Sequence, residues 1–299
     1  MNVAVVDVGS NTIRLLVAAH SRQGLAVVAR GKKVVGLGAD IEQNGAVSPQ
    51  KLREAGECLA GFAHTARASG AALVDVVVAS PGRQAANADQ LVHMLSRAAG
   101  APARVLSREE EGRLAFEGAL AFVNPSGTVA VCDVGGGSAQ VAVGTVSGGP
   151  AWLRSVELGS LRLSARVPSS DPPTKEELSV MLGHAENACA RLTPPLPMSA
   201  VAVGGTARAA KKLVGRALGP DELCEALSLL RKLPAKEIAR EHGLEVWRVQ
   251  ALPAGIAILI EIQRVLAVPL EVGRGGLREG LALELLDRLP AVQQARGGR

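Results

Sequence analysis

One sequence pattern occurs twice in this chain, at a constant offset of 126 positions. The first copy is Val-Ala-Val-Val-Asp-Val-Gly-Ser-Asn-Thr at residues 3–12, and the second is Val-Ala-Val-Cys-Asp-Val-Gly-Gly-Gly-Ser at residues 129–138. In both copies an apolar run contains one Asp near its end, a polar turn with glycine follows, and a second apolar run begins. Two β-prone runs around such a turn are typical of a hairpin, so the repeat predicts two related halves that each begin with one.

The turns of these hairpins have the composition of a phosphate-binding loop. Glycine lets the backbone approach a ligand closely, and Ser, Asn and Thr add side-chain donors to the main-chain N–H groups. The candidate phosphate-binding residues are Gly9, Ser10, Asn11 and Thr12 in the first turn and Gly135, Gly136, Gly137 and Ser138 in the second. Asp7 and Asp133 precede the turns and are candidate cation ligands. An ordinary polar hairpin turn is the alternative, and the matched recurrence argues against it.

A third candidate anion site follows the apolar run at residues 200–203, where Gly204, Gly205 and Thr206 begin a predicted helix. Free backbone N–H groups and the positive end of the helix dipole face such a turn, so Gly205 and Thr206 are candidate phosphate-binding residues. A plain tight strand-to-helix connection explains this motif equally well.

The best candidate for an acid–base group is Glu111, in the segment Ser107-Arg-Glu-Glu-Glu111. Ser107 and Glu110 have the spacing of a capping box, and Glu109 is expected to face solvent. Glu111 shares a helix face with the apolar residues Leu114, Ala115, Gly118 and Phe122. A carboxylate on an inward face is paired, bound to metal or raised in pKa, and a raised pKa suits a general base. A structural salt bridge is the alternative.

Composition limits the partners of the chain. The net charge of +5 and the pI near 9.3 suit an anionic substrate, whereas 2% aromatics without any Tyr leave little with which to stack bases, so nucleic acid is not expected. The four cysteines have no C-x-x-C pair and the five histidines no i, i+4 pair, which predicts reduced thiols, a cytoplasmic protein and no zinc site. The apolar segment at 249–270 contains Pro253, Glu261 and Arg264, so it predicts a buried helix and no membrane span.

The turn cluster at residues 124–127 is the predicted domain boundary. It separates a first domain, residues 1–124, with the first loop, from a second domain, residues 125–299, with the second loop. The closing helix over about 277–289 is a candidate to pack back on the first domain. If the two halves pack face to face, both turns and both aspartates face one cleft.

The ordered combination of motifs resembles the exopolyphosphatase/guanosine pentaphosphate phosphatase (Ppx/GppA) family of the actin-like ATPase superfamily. Segments 7–12 and 133–138 look like the two phosphate loops of the family, and Glu111 falls on its catalytic glutamate. The segments at 83–87, 204–206 and 277–280 also match. Each glycine loop alone is a weak signal, whereas together and in this order the motifs are specific.

The resemblance implies an α/β fold with two ribonuclease-H-like domains, each a mixed sheet flanked by helices, and an active site in the cleft between them. It implies Mg²⁺-dependent hydrolysis of a terminal phosphoanhydride, with Mn²⁺ as an alternative metal, on inorganic polyphosphate or guanosine pentaphosphate. Glu111 would orient and deprotonate water, Asp7 and Asp133 would lie near the metal, and Arg83 would neutralise phosphate charge. A homodimer is compatible with this family.

One position departs from the family pattern. Two residues after Ser138 the family has an acidic residue, and this chain has Gln140, which keeps an amide oxygen but carries no charge. Asp133 and Gln140 join Glu111 as catalytic candidates, and Arg14, at the matching place in the first copy, joins the phosphate-binding set. Because Gln140 is neutral, a second function stays possible, that of a non-catalytic protein that binds polyphosphate or the guanosine alarmone. A small-molecule kinase or ATPase of the same superfamily is the third class considered.

Overall fold

Two five-stranded sheets organise the computed structural model, which describes residues 1–21, 24–215 and 217–297. The strands of the first sheet are β1 (Asn2–Val8), β2 (Thr12–Ser21), β3 (Gly24–Val34), β4 (Ala71–Val78) and β5 (Ala103–Val105). Those of the second are β6 (Val129–Val134), β7 (Ala139–Thr145), β8 (Gly149–Val156), β9 (Ser199–Val203) and β10 (Leu270–Val272).

Both sheets have the same topology. Their strand orders are β3-β2-β1-β4-β5 and β8-β7-β6-β9-β10, so each first strand lies in the middle of its sheet. In each sheet the first three strands pair antiparallel, and the fourth and fifth run parallel to the first. The two hairpins and the duplication predicted from the repeat are therefore confirmed.

Helices flank both sheets. The helices are α1 (Leu37–Asn44), α2 (Pro49–Ala68), α3 (Ser80–Gln84), α4 (Ala88–Ala99), α5 (Arg108–Leu120), α6 (Ser160–Arg166), α7 (Lys175–Cys189), α8 (Gly204–Val214), α9 (Pro220–Lys232), α10 (Ala235–His242), α11 (Val246–Gln250), α12 (Leu252–Leu266) and α13 (Leu277–Gly297). The side chains of α13 are described as far as Leu289.

The chain divides into two compact units, and the first is discontinuous. Unit 1 consists of residues 1–107 together with 277–299, and unit 2 of residues 108–276. The predicted boundary after Asn124 therefore lies inside unit 2, because α5 packs on the strands β6, β7 and β8 of the second sheet. The last helix, α13, packs on β1 and β2 of unit 1.

The core of unit 1 is built from small aliphatic side chains. Helix α2 begins at Pro49 after Ser48, whose hydroxyl accepts the Lys51 N–H as an N-cap. Its buried face includes Leu52, Ala55 and Leu59, which pack with the apolar faces of the β1–β2 hairpin. Burying such side chains contributes roughly 25 cal/mol per Å² of apolar surface, which offsets the cost of ordering the chain.

Unit 2 is organised around helix α12, the apolar segment predicted to be a buried helix. Ala254, Ile256, Ile258, Leu259 and Ile262 are at most 1% exposed, and the helix packs on α6, α7, α8 and α9. That prediction is confirmed. Among the helices that the structure describes, none combines the length and the hydropathy that a membrane crossing requires.

Candidate active site

The two predicted phosphate loops have the same closing hydrogen bond. In unit 1 the Gly9 N–H donates to the Thr12 carbonyl oxygen at 3.1 Å, and in unit 2 the Gly135 N–H donates to the Ser138 carbonyl oxygen at 3.0 Å. These residues correspond exactly at the offset of the repeat. The turns of the two hairpins are therefore closed by the same backbone hydrogen bond.

The carbonyl groups of the first loop point to the start of helix α1. The Ser10 carbonyl oxygen accepts the Gly38 N–H at 2.6 Å, and the Asn11 carbonyl oxygen accepts the N–H groups of Val35 and Gly36 at 2.9 and 3.0 Å. Gly38 is required at this contact, because a Cβ there would lie 2.7 Å from the Ser10 Cβ. The loop is thereby fixed against α1.

The second loop is held in the same manner by helix α6. The Gly135 carbonyl oxygen accepts the Ser160 N–H at 2.9 Å, and the Gly136 carbonyl oxygen accepts the N–H groups of Leu161 and Arg162 at 3.0 Å. A side chain at Gly159 would collide with the backbone of Gly136, so glycine permits the close approach.

The carbonyl of one residue and the N–H of the next belong to the same trans peptide and point in opposite directions, so these orientations direct the N–H groups of Asn11, Gly136 and Gly137 away from the helices. Within the described residues, the N–H groups of Ser10, Asn11, Gly136 and Gly137 donate to no protein acceptor. Two consecutive N–H groups without acceptors, on a fixed loop, form a concave donor site for an anion. The backbone of both loops therefore fits a phosphoryl group.

Most side chains of the first loop hold its shape. The Ser10 hydroxyl, 5% exposed, shares a 2.6 Å hydrogen bond with the Ser80 hydroxyl at the start of α3, and the Thr12 hydroxyl accepts the Arg14 Nε–H at 3.0 Å. Asn11 differs, since its buried Nδ2 has no hydrogen-bond partner in the described structure. An orphaned buried donor is costly without a ligand, so Asn11 is the loop side chain most suited to contact one.

Arg83 lies in unit 1, which also contains the first loop, on the short helix α3 after β4. It is half-buried, and its Nη1 donates to the Leu106 carbonyl oxygen at 2.8 Å, which orients the guanidinium. The neighbouring Asn87 has a structural role, because its amide donates to and accepts from the backbone of Val47 at 2.9 and 2.8 Å.

Gln140 is integrated into the second loop. Its amide nitrogen donates to the hydroxyls of Ser138 at 3.0 Å and Ser155 at 3.4 Å, and the side chains of Ser138 and Gln140 are 2% and 3% exposed. Because Gln140 is the donor in the first of these bonds, the Ser138 hydroxyl keeps its own hydrogen for another acceptor. The amide thus positions Ser138 without needing a cation.

The two aspartates occupy equivalent half-buried positions. Asp7 lies opposite Arg14 in the β1–β2 pair, and Asp133 lies opposite Gln140 in the β6–β7 pair. The Asp133 carboxylate lies against Gly204, whose φ of +86° and lack of Cβ leave room for it. Within the described residues, no cluster of three or more His, Cys, Asp or Glu side chains could hold a metal. One carboxylate beside phosphate-binding donors fits Mg²⁺, which keeps several waters and shares substrate oxygens.

The start of helix α8 contains Gly205 and Thr206. The Thr206 hydroxyl, 1% exposed, donates to the Val134 carbonyl oxygen at 2.8 Å and so ties α8 to the end of β6. Gly205 lies against the guanidinium of Arg248, since a Cβ there would be 2.7 Å from Nη2. Arg248, stacked 4.2 Å from the Trp247 ring centroid, was missed from sequence because no motif surrounds it.

Glu111 lies in the first turn of α5 and is half-buried, whereas Glu109 is exposed as predicted. Leu114 and Ala115 of its predicted inward face are buried, but Phe122 is 39% exposed because the helix ends at Leu120. Gly112 lets the helix pack tightly, since a Cβ there would lie 2.7 Å from Leu153 Cδ1 of β8. The helix therefore fixes Glu111 on unit 2, the unit that carries the second loop.

The model of the Ppx/GppA phosphatase family matches residues 16–289. The chain belongs to this family. A guanosine-5'-triphosphate,3'-diphosphate pyrophosphatase from Aliivibrio fischeri is 26% identical over 298 residues, which cover 96% of this chain and 59% of that protein. The chain therefore spans 59% of the length of this curated relative.

Solved structures of the family show the same fold. A Ppx/GppA family member from Aquifex aeolicus has a TM-score of 0.82 at 24% identity, covering 97% of this chain and 99% of that one. An exopolyphosphatase from Cytophaga hutchinsonii has a TM-score of 0.84 at 19% identity, covering 96% and 98%. The predicted fold class, two related mixed sheets flanked by helices, is confirmed.

Proposed function

We propose that the protein hydrolyses the terminal phosphoanhydride of inorganic polyphosphate and releases orthophosphate. The observation that supports this most directly is the pair of loops with unused N–H groups, Ser10 and Asn11 in one and Gly136 and Gly137 in the other. Phosphoryl transfer depends mainly on positioning and on donors directed at developing negative charge, which such loops supply. Membership of the Ppx/GppA phosphatase family supports the same chemistry.

Glu111 is proposed as the general base. A half-buried carboxylate held by a packed helix can accept a proton from water and orient the oxygen for attack on phosphorus. Arg83, oriented by the Leu106 carbonyl, is proposed to neutralise charge on the phosphoryl oxygens. Thr206 is proposed to act mainly by holding α8, because its hydroxyl hydrogen is committed to Val134.

Mg²⁺, or alternatively Mn²⁺, is proposed as the cofactor, with Asp7 and Asp133 as its protein ligands. When bound, the ion neutralises phosphate charge and polarises the scissile bond. Arg14 and Gln140, the cross-strand neighbours of these aspartates, add no negative charge. A site with so few carboxylates relies on phosphate oxygens as further ligands, so metal and substrate are expected to bind cooperatively.

The decisive experiment measures orthophosphate release from polyphosphate in the presence of Mg²⁺. Glu111→Gln is expected to lower kcat by about 10²- to 10⁴-fold, the usual contribution of a general base. Glu109→Gln is the matched control, since that residue is exposed on the same helical turn. Full activity of Glu111→Gln would exclude the mechanism.

Guanosine pentaphosphate is the second candidate substrate, because the curated relative from Aliivibrio fischeri is named for this chemistry. Its terminal 5'-phosphoanhydride presents the same reacting group to the loops. Comparing kcat/KM for polyphosphate and for guanosine pentaphosphate under one set of conditions decides between the two.

A non-catalytic binder is the alternative that Gln140 raises. If the native protein binds polyphosphate but releases no orthophosphate, and Gln140→Glu gains turnover, the binding function is favoured over hydrolysis. The kinase alternative requires ADP formation from ATP together with a phosphorylated acceptor.

A further inference from the structure

Unit 2 contains a cavity of about 270 Å³ that no residue of the second phosphate loop lines. Its walls come from helix α6, the segment at residues 168–173, the helices α9 and α10, and the connection between α11 and α12. Cavities for drug-sized ligands measure roughly 300–1,000 Å³, so this one suits a smaller organic molecule. We call it the proline cavity, after the lining residues Pro168, Pro173 and Pro253.

The floor of the proline cavity is apolar. The buried residues that line it are Pro173, Leu230, Ala235, Ile238, Val249 and Pro253. A ligand that fills the cavity removes apolar surface from water both on itself and on this floor. The floor therefore favours a ligand with an apolar body.

The rim of the cavity is polar and carries one charge. The exposed residues that line it are Pro168, Ser169, Ser170, Asp171 and Gln250. Asp171 is the one ionisable side chain among all the lining residues, and within the described part of the chain it forms no ion pair. The chain as a whole has a net charge of +5, so a cavity with an uncompensated carboxylate differs in sign from its surroundings. Its charge favours a cation and disfavours a phosphate.

The carboxylate of Asp171 is held in place by backbone contacts. Its Oδ1 accepts the N–H of Ala235, the first residue of α10, at 2.7 Å. The adjacent Ser170 is fixed to α7, because its N–H and its hydroxyl donate to the Glu177 carboxylate at 3.0 and 2.8 Å. The Oδ2 atom of Asp171 accepts no hydrogen bond from any described residue, so it is available to a ligand.

From this combination we infer that the proline cavity binds a small organic cation, an amine or amidine with an apolar body, whose charged group pairs with Asp171. A hydrogen bond from a charged nitrogen to a carboxylate is roughly twice as strong as one between neutral groups. The apolar floor selects the body of the ligand, and Asp171 selects its charge. The inference goes beyond the proposed function, because none of these residues belongs to the phosphate-binding set.

Benzamidine and benzamide are the probes, because they have nearly the same shape and only benzamidine is a cation in neutral solution. Isothermal titration calorimetry on the native protein is expected to give benzamidine a Kd about tenfold lower than that of benzamide. In Asp171→Asn the two Kd values are expected to become equal. Asparagine keeps an oxygen that accepts the Ala235 N–H, so the start of α10 is retained in this variant.

Asp221→Asn is the matched control, since Asp221 is exposed in the first turn of α9 and does not line the cavity. This variant is expected to keep the native preference for benzamidine. Ala235→Leu tests the floor independently, because its larger side chain is expected to fill part of the cavity and to weaken the binding of both probes.

Five results would overturn the inference. They are no binding of benzamidine, equal affinity for both probes in native protein, an unchanged preference in Asp171→Asn, the same loss of preference in Asp221→Asn, and unchanged binding in folded Ala235→Leu. If Ala235→Leu does not fold, the comparison of the two aspartate variants still decides. None of these measurements involves polyphosphate, so a failure of the proposed function leaves the test of the cavity unaffected.

Discussion

Asp133 and Gln140 face each other across the β6–β7 pair, and the Gln140 amide nitrogen donates to the Ser138 hydroxyl at 3.0 Å. The equivalent pair in unit 1 is Asp7 and Arg14. Neither aspartate therefore has a second carboxylate as its cross-strand neighbour. Side chains directly opposite in an antiparallel pair interact, so the residue at position 140 sets the charge beside Asp133.

Replacing Gln140 by Glu is expected to make the stability of the protein depend on Mg²⁺. The new carboxylate would be almost fully buried opposite Asp133 and could no longer donate to Ser138, which is expected to lower the free energy of unfolding by about 1–3 kcal/mol without metal. Mg²⁺ is expected to restore much of this loss, because the cation neutralises both carboxylates.

Urea unfolding of the native protein and of Gln140→Glu, with and without Mg²⁺, measures this effect. Gln140→Met is the control, since it removes the amide donor without adding charge. If Gln140→Glu is as stable as the native protein in the absence of Mg²⁺, the described environment of position 140 is incorrect.

Gly204→Ala is expected to destabilise the protein by about 1–3 kcal/mol, because the residue has a left-handed backbone and its Cβ would overlap the Asp133 carboxylate. Gly183→Ala, in helix α7, is the matched control. No atom lies within 4 Å of its added Cβ, so it is expected to stabilise by about 0.5–1 kcal/mol. Urea unfolding of both variants gives the comparison, and equal effects would contradict the packing of Asp133 on Gly204.

Burial raises the pKa of the Cys132 and Cys189 thiols to about 12, and it also raises the pKa of Cys58. Only Cys224 is exposed among the cysteines, so a thiol reagent at mildly alkaline pH is expected to label one site in folded protein and four after unfolding. Mass spectrometry after labelling identifies the sites. Rapid modification of Cys132 in folded protein would be inconsistent with its burial.

The same raised pKa values predict how stability changes in alkali. A buried thiol binds its proton more tightly in the folded state than in the unfolded state, where the pKa is near 9.0. Its contribution is therefore complete below about pH 9 and is lost as the pH rises toward 12. Urea midpoints measured across this range are expected to fall.

The sequence predicted both hairpins, because each depends on local information: alternating runs, a polar turn and the matched repeat. It also predicted the cap at Ser48 and the burial of α12, which local patterns determine as well. The equivalence of the two sheets could be anticipated from the repeat alone, although outside the hairpins the sequences of the two halves differ.

Other parts of the site could not be predicted from the sequence, because they depend on tertiary contacts. The orphaned amide of Asn11 and the approach of the Arg248 guanidinium to Gly205 depend on packing between distant segments, which no spacing rule describes. The turn residues at 124–127 mark the end of α5, and the predicted boundary was placed there. Helix α5 packs on the second sheet, however, so unit 2 already begins at Arg108.

The discontinuity of unit 1 has a consequence for how the chain folds during synthesis. Strands β1 and β2 leave the ribosome well before α13, the helix that packs on them, has been made. Unit 2 is continuous and can complete its core before α13 exists. The β1–β2 hairpin, although translated before unit 2, is therefore expected to reach its native state after it, and until then its apolar surface needs protection from aggregation.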